Sequence, residues 1–77
     1  MKDPKLLAFG QRVRELRKER GYSQEHLADL AGLDRSYMGH IERGEKNITL
    51  LKIYQIGQAL CVSPRDLFEA PFSDPLK

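Results

Sequence analysis

Arg35, Ser36, Gly39, His40 and Arg43 are spaced so that, on an α-helix turning about 100° per residue, all five fall within an arc of roughly 140°. Met38 and Ile41 lie on the other side. One face therefore carries two guanidiniums, a hydroxyl, an imidazole and a glycine, while the opposite face is apolar. A guanidinium near the start of such a helix presents two parallel N–H groups, which match guanine O6 and N7 in a major groove. Ser36 donates or accepts, Gly39 lets a backbone come close, and His40, further along, has the reach for a base or a phosphate. The competing reading is an ordinary solvated helix face.

Ser23 and Gln24 stand where another helix would begin. Free backbone N–H groups and the helix dipole favour a phosphate there, and the Gln24 amide can bind it or brace the base-reading face. Past residue 43 a polar loop offers Lys46, suited to a groove edge, a phosphate or plain solvation. It also offers Asn47, suited to a phosphate or a local turn. Asp34 can accept from cytosine N4 but reads first as a helix N-cap. The chain shows no Ser/His/Asp set, paired buried carboxylates or glycine-rich phosphate loop, so no catalytic residues are expected. His26, His40 and Cys61 have no metal-ligand spacing, and neither a metal nor a cofactor is expected.

The elements that must hold these residues are all helical. Leu6, Phe9, Val13 and Leu16 recur every three or four residues and predict a helix over about 5–20, ended by Gly21. Ser23 caps a second helix over 24–31, with Leu27, Ala28, Leu30 and Ala31 on its apolar side and Gly32 at its end. Asp34 caps a third, from Arg35 to about Arg43, closed by Gly44. Thr49 caps a fourth through about Leu60, with Leu50, Leu51, Ile53, Ile56, Ala59 and Leu60 expected to face inward. Ser63-Pro64-Arg65-Asp66 starts a short fifth helix holding Leu67 and Phe68, and Pro71 and Pro75 bracket a tail that cannot continue it. Helices two and three are joined only by Gly32-Leu33-Asp34, so they must cross steeply. Ala28 and Gly32 are small enough for the contact, and Leu27, Ala31, Leu33, Met38 and Ile41 bury the junction. This is the spacing of a helix-turn-helix. Cys61 reads as a small apolar filler after the fourth helix, and His26 as solvent-facing.

At 77 residues, with 40% hydrophobic and 31% charged side chains, the chain supports one small all-α domain, too short to wall a large substrate cavity. Residues 1–70 are read as that domain and 71–77 as a short C-terminal tail. No apolar run suits a bilayer span or a secretory leader, so a cytoplasmic location with no membrane partner is expected. One cysteine permits no internal disulfide. The net charge of +2 is unevenly spread: residues 1–20 carry seven Lys/Arg against three acids, residues 35–52 four against two, and residues 21–34 three acids and no Lys or Arg. Two basic segments around an acidic one can fold into a basic face or into a mixed surface.

Gln24-Glu25-His26-Leu27-Ala28, Gly32-Leu33-Asp34-Arg35-Ser36-Tyr37-Met38 and Ile41-Glu42-Arg43-Gly44 together resemble the Cro/C1-type (Xre) helix-turn-helix regulators. The resemblance covers residues 6–68, including the ending Leu60-x-Val62-Ser63-Pro64-x-x-Leu67-Phe68. Within that family, Leu33-Asp34-Arg35-Ser36-Tyr37 followed by Ile41-Glu42-Arg43-Gly44-Glu45-Lys46-Asn47-Ile48-Thr49 is similar to the controller proteins of restriction–modification systems. The resemblance implies a compact five-helix, lambda-repressor-like DNA-binding domain with the helix-turn-helix at helices two and three. It implies a homodimer on partly palindromic operator DNA, phosphate contacts from Gln24, Tyr37, Arg43 and Asn47, and base reading by Arg35, Ser36 and Lys46. It further implies an ion pair between Arg17 and Glu42, which would keep that acid from repelling phosphate. Gly39 and His40 depart from the controller pattern, so an operator sequence does not carry over.

Tyr54, Val62, Leu67, Phe68 and Phe72 are the apolar residues left once a five-helix core is filled. They are expected to form a two-fold interface, the alternative being that they complete the monomer core. The expected function is a sequence-specific, double-stranded DNA-binding transcriptional regulator acting by occupancy, either blocking RNA polymerase or touching it. Two competitors are an antitoxin-type autorepressor, for which residues 70–77 are short, and a helical protein-binding adaptor.

Overall fold

Side-chain caps decide where the helices begin. In the computed structural model, which describes residues 2–68, an extended residue with an oxygen-bearing side chain precedes each of the first four helices. Asp3 accepts from the Lys5 amide at 2.7 Å at the head of α1 (Pro4–Glu19), and Pro4 occupies the first position, where no donor is missed. Ser23 Oγ accepts from the His26 amide at 3.0 Å to open α2 (Gln24–Ala31). Asp34 accepts from the Ser36 amide at 2.9 Å to open α3 (Arg35–Glu42), and Thr49 from the Lys52 amide at 3.3 Å to open α4 (Leu50–Leu60). At α5 (Pro64–Phe68) the Ser63 amide donates to Asp66 Oδ2 at 3.3 Å. The five helices stand where the sequence places them, within a residue or so at each end, and no strand occurs among the described residues.

Gly32 makes the turn between α2 and α3. Its φ of +72° is a left-handed conformation that costs a glycine little, and it lets the Leu33 amide reach back to the Ala28 carbonyl at 2.8 Å. The two short helices then cross over Leu27, Ala31, Met38 and Ile41, all buried, with Leu33 packed at the edge. α1 lies against α3 and α5, and α4 against α2 and α5, so α3 is backed by the core on one side only. Gly10 explains how closely α1 meets the end of α3. A Cβ there would overlap the Ile41 carbonyl oxygen and sit 2.7 Å from that of Glu42. Arg12 Nε donates to the Asp66 carbonyl at 2.8 Å and ties α1 to α5.

Four expectations change. Leu50 and Leu51 do not face inward: they are 65% and 75% exposed. Leu50 shares the phase of Ile53 and Gly57 but sits on the first turn, and Leu51 points about 140° away from buried Ile56. Leu30 is likewise half exposed, leaving Leu27, Ala28 and Ala31 as the inward side of α2. Cys61 is not a core filler; it is exposed and caps α4 with a left-handed φ of +59°, a place usually taken by glycine. Leu67 is fully buried against the core of its own chain, so it completes the monomer and is not available to a two-fold partner. Tyr54 and Phe68 stay exposed and Val62 half-buried. Phe72 and the expected tail 71–77 lie outside the described residues.

Candidate nucleic-acid interface

The exposed side of α3 and the start of α2 form one open cleft of about 270 Å³, lined by Gln24, Arg35, Ser36, Gly39, His40 and Arg43. Four of the six come from α3 and Arg43 from its C-cap, because the apolar residues of that helix, Met38 and Ile41, are drawn to the other side. Arg35 and Ser36 are exposed on the first turn, and neither side chain makes a hydrogen bond or ion pair among the described residues. They are free to be claimed by a ligand.

Gln24 is already committed. Its Nε2 donates to Glu42 Oε1 at 3.0 Å, so within the free protein it braces the face. Glu42 is the one charged residue among the described that is buried, and it is matched from the other side by Arg17. Nε donates to Oε2 at 2.7 Å and Nη2 to Oε1 at 3.0 Å, while Nη1 donates to the Tyr22 carbonyl at 2.9 Å. A two-pronged guanidinium plus an amide fills the acceptor positions of the carboxylate. The acid beside the face is thereby turned inward and neutralised.

Gly39 is buried beneath the Arg43 guanidinium and the Gln24 amide. A Cβ there would lie 3.2 Å from Arg43 Nη1 and 3.5 Å from Gln24 Oε1. In the free chain the ends of those two side chains border the space above Gly39, which lines the open cleft. Ser23 uses its hydroxyl to cap α2. Lys46 and Asn47 are exposed on the loop after α3, outside the cleft, with no side-chain partner among the described residues. Tyr37 is half-buried against the core, and the Lys52 ammonium stands 5.6 Å from its ring centroid.

Glu45 and Lys52 are the neighbours that sequence reasoning missed. Gly44, at φ +74°, reverses the chain and brings the Glu45 carboxylate back over the end of α3. There Oε1 meets His40 Nδ1 at 2.7 Å and Arg43 Nε at 3.2 Å, and Oε2 meets Lys2 Nζ at 3.4 Å. The bond from His40 first, and then those from Lys2 and Arg43, hold the Glu45 carboxyl down from its ordinary 4.5 to about 2. No i,i+4 spacing signals this contact, because it crosses a helix end. Lys52 is marked in the sequence as a cation three residues past the Thr49 cap, on the helix after the base-reading one.

The helix-turn-helix family model matches residues 13–67. Control protein C.BamHI from Bacillus amyloliquefaciens is 45% identical over 64 residues, spanning 82% of this chain and 79% of that protein. Among solved structures, the restriction–modification controller protein C.AhdI from Aeromonas hydrophila is 56% identical with a TM-score of 0.81, covering 82% of this chain and 96% of its own. SinR, the master regulator for biofilm formation, was solved in complex with DNA; it is 37% identical with a TM-score of 0.75, over 79% of this chain and 98% of that one.

Proposed function

Since the chain belongs to the helix-turn-helix family of Cro/C1-type transcriptional regulators, with restriction–modification controller proteins among its relatives, we propose that it binds a partly palindromic operator as a homodimer and controls a restriction–modification system. The observation that carries this reading is the unpartnered Arg35–Ser36 pair at the head of α3, in a cleft whose neighbouring acid is neutralised from within. Placed in a major groove, Arg35 and Ser36 read base edges and His40 reads a third position. Lys46 follows on the loop beyond. Arg43, Tyr37, Asn47 and the α2 start at Ser23 and Gln24 hold phosphates and set the register. The arrangement is one of binding rather than catalysis, in the cytoplasm, where the bound dimer blocks or contacts RNA polymerase. No helix of the described residues is long and apolar enough to cross a membrane.

A single module of this size buries little surface on DNA, and two-fold pairing doubles it. Exposed Tyr54 and Leu51 on α4 and Phe68 on α5, with Val62 between the two helices, supply apolar surface for that pairing. Footprinting on DNA upstream of the gene tests the reading. Two protected half-sites about one helical turn apart, lost steeply between low and moderate salt, are expected. Absence of any protected site, or binding indifferent to salt, defeats it. Sedimentation at tens of micromolar, expected to give a dimer, tests the pairing.

A further inference from the structure

His40 and Glu45 meet across the end of α3, with Nδ1 and Oε1 2.7 Å apart. A ring nitrogen and a carboxylate oxygen at that separation need a proton between them, because two facing lone pairs repel. Glu45, whose carboxyl is ionised down to about pH 2, does not supply it; the proton is on Nδ1. Arg43 Nη2 also lies 3.1 Å from Nδ1, and Arg43 Nε 3.2 Å from the same Oε1. With Nδ1 carrying hydrogen, the approach of Nη2 is two donors crowding around one acceptor, not a bond between them.

A neutral imidazole has one N–H, so placing it on Nδ1 leaves Nε2 with a bare lone pair. Nε2 has no hydrogen-bond partner among the described residues, and the side chain is 42% exposed. The two ring nitrogens aim to nearly opposite sides, and His40 lines the cleft together with Arg35 and Ser36. The charged groups around the ring are Glu45 and Arg43, with Lys2 reaching it through Glu45 and Arg35 sharing the cleft; Gln24 is the neighbour from α2.

We propose that Glu45 is a positioning residue for base recognition: it fixes His40 as the Nδ1–H form, so that Nε2 accepts from the exocyclic amino group of adenine or cytosine. The proposal rests on the reading of α3 as the base-reading helix. In the major groove adenine N6 and cytosine N4 are donors, whereas guanine offers N7 and O6 side by side as acceptors. Without Glu45, Arg43 Nη2 is placed to donate to a bare Nδ1. That moves the ring proton to Nε2, and the ring then donates.

Two measurements test this on the full chain. Long-range nitrogen–proton NMR of the free protein at about pH 8 reads which ring nitrogen carries hydrogen. Wild type is expected to show Nδ1–H and Glu45→Ala to show Nε2–H. Selection from random duplex DNA at about pH 8 reads the base preference. Wild type is expected to favour adenine or cytosine over guanine at one position by about five- to tenfold. Glu45→Ala should favour guanine there, and His40→Phe should favour neither. Glu45 and His40 are surface residues, and helical circular dichroism confirms that each variant is folded. Nε2–H in wild type at about pH 8 overturns the proposal. So does a selected site whose preferences ignore Glu45→Ala, while leaving the operator reading intact. If selection enriches no sequence, the operator reading itself fails and base recognition by His40 falls with it, even where NMR finds Nδ1–H.

Discussion

Removing Arg17 is the sharpest perturbation of the scaffold behind the recognition face. The Glu42 side chain is only 3% exposed and that of Arg17 11%. In Arg17→Met the aliphatic stem is retained, but the carboxylate loses two of its three donors and keeps only Gln24 Nε2. An uncompensated buried charge of this kind costs about 3–5 kcal/mol, against a total of about 4–12 kcal/mol for a chain of this length. The reverse truncation is gentler. Glu42→Gln keeps the shape and one acceptor, and the guanidinium retains the Tyr22 carbonyl and a path to water, so about 1–3 kcal/mol is expected. Arg17→Met/Glu42→Leu, which removes both charges, should be more stable than Arg17→Met alone. Urea denaturation of wild type and the three variants gives these differences, and a thermal scan should show Arg17→Met melting more than about 12 °C below wild type. If Arg17→Met costs under about 1 kcal/mol, or the double variant is no more stable than it, the pair is not desolvated as described and the argument fails.

On DNA, Arg35→Ala should cost about 1–3 kcal/mol on the cognate site and flatten sequence preference, whereas Arg43→Ala should weaken specific and random DNA alike and lower the salt slope by about one. Fluorescence anisotropy titrations over a salt series separate the two. Gly10→Ala gains helix propensity but drives a Cβ into the backbone at Ile41 and Glu42. A net loss of about 1–3 kcal/mol in urea denaturation is expected, and no loss would mean that α1 and α3 are further apart. The Glu45 carboxyl is depressed from 4.5 to about 2, so its clamp on His40 and Arg43 is complete above the ordinary value and is lost as pH falls through about 2. A carboxyl carbon NMR titration should find the midpoint near that value, and a midpoint at 4 or above would show that the clamp is absent in solution.

The five helices were legible because their signals are local. Each of the first four has a capping oxygen at a definite position, and α2 and α3 have too short a joint to do anything but cross. The face of α3 was legible because period and polarity agree there: Met38 and Ile41 set the phase, and the cleft residues follow. Burial at the ends of elements was not. Leu50 has the right phase for the core and is exposed because none of the described residues covers the first turn, and Leu67 looks surplus in sequence although α1 and α4 close over α5 and bury it. Cys61 was misjudged because composition says nothing about a left-handed cap. The Glu45 clamp was invisible for a related reason, since a contact made across a chain reversal depends on the φ of Gly44 and not on spacing.

Two glutamates stand next to a face that must accept a polyanion, and the fold handles them in opposite ways. Glu42 is turned into the protein, where α1 meets it with a guanidinium and α2 with an amide. Its charge is cancelled before DNA arrives, and the same bonds hold three helices in register. Glu45 is kept at the rim, on an exposed loop residue, and is met by His40, Arg43 and Lys2. A carboxylate there weakens attraction to phosphate, so electrostatics alone would favour its absence. Its presence is explained if orientation is worth more than charge at this spot: Arg43 and His40 are long or rotatable groups whose freedom must be given up on binding, and a shared oxygen holds both beforehand. The buried acid secures the scaffold and the rim acid aims the tips.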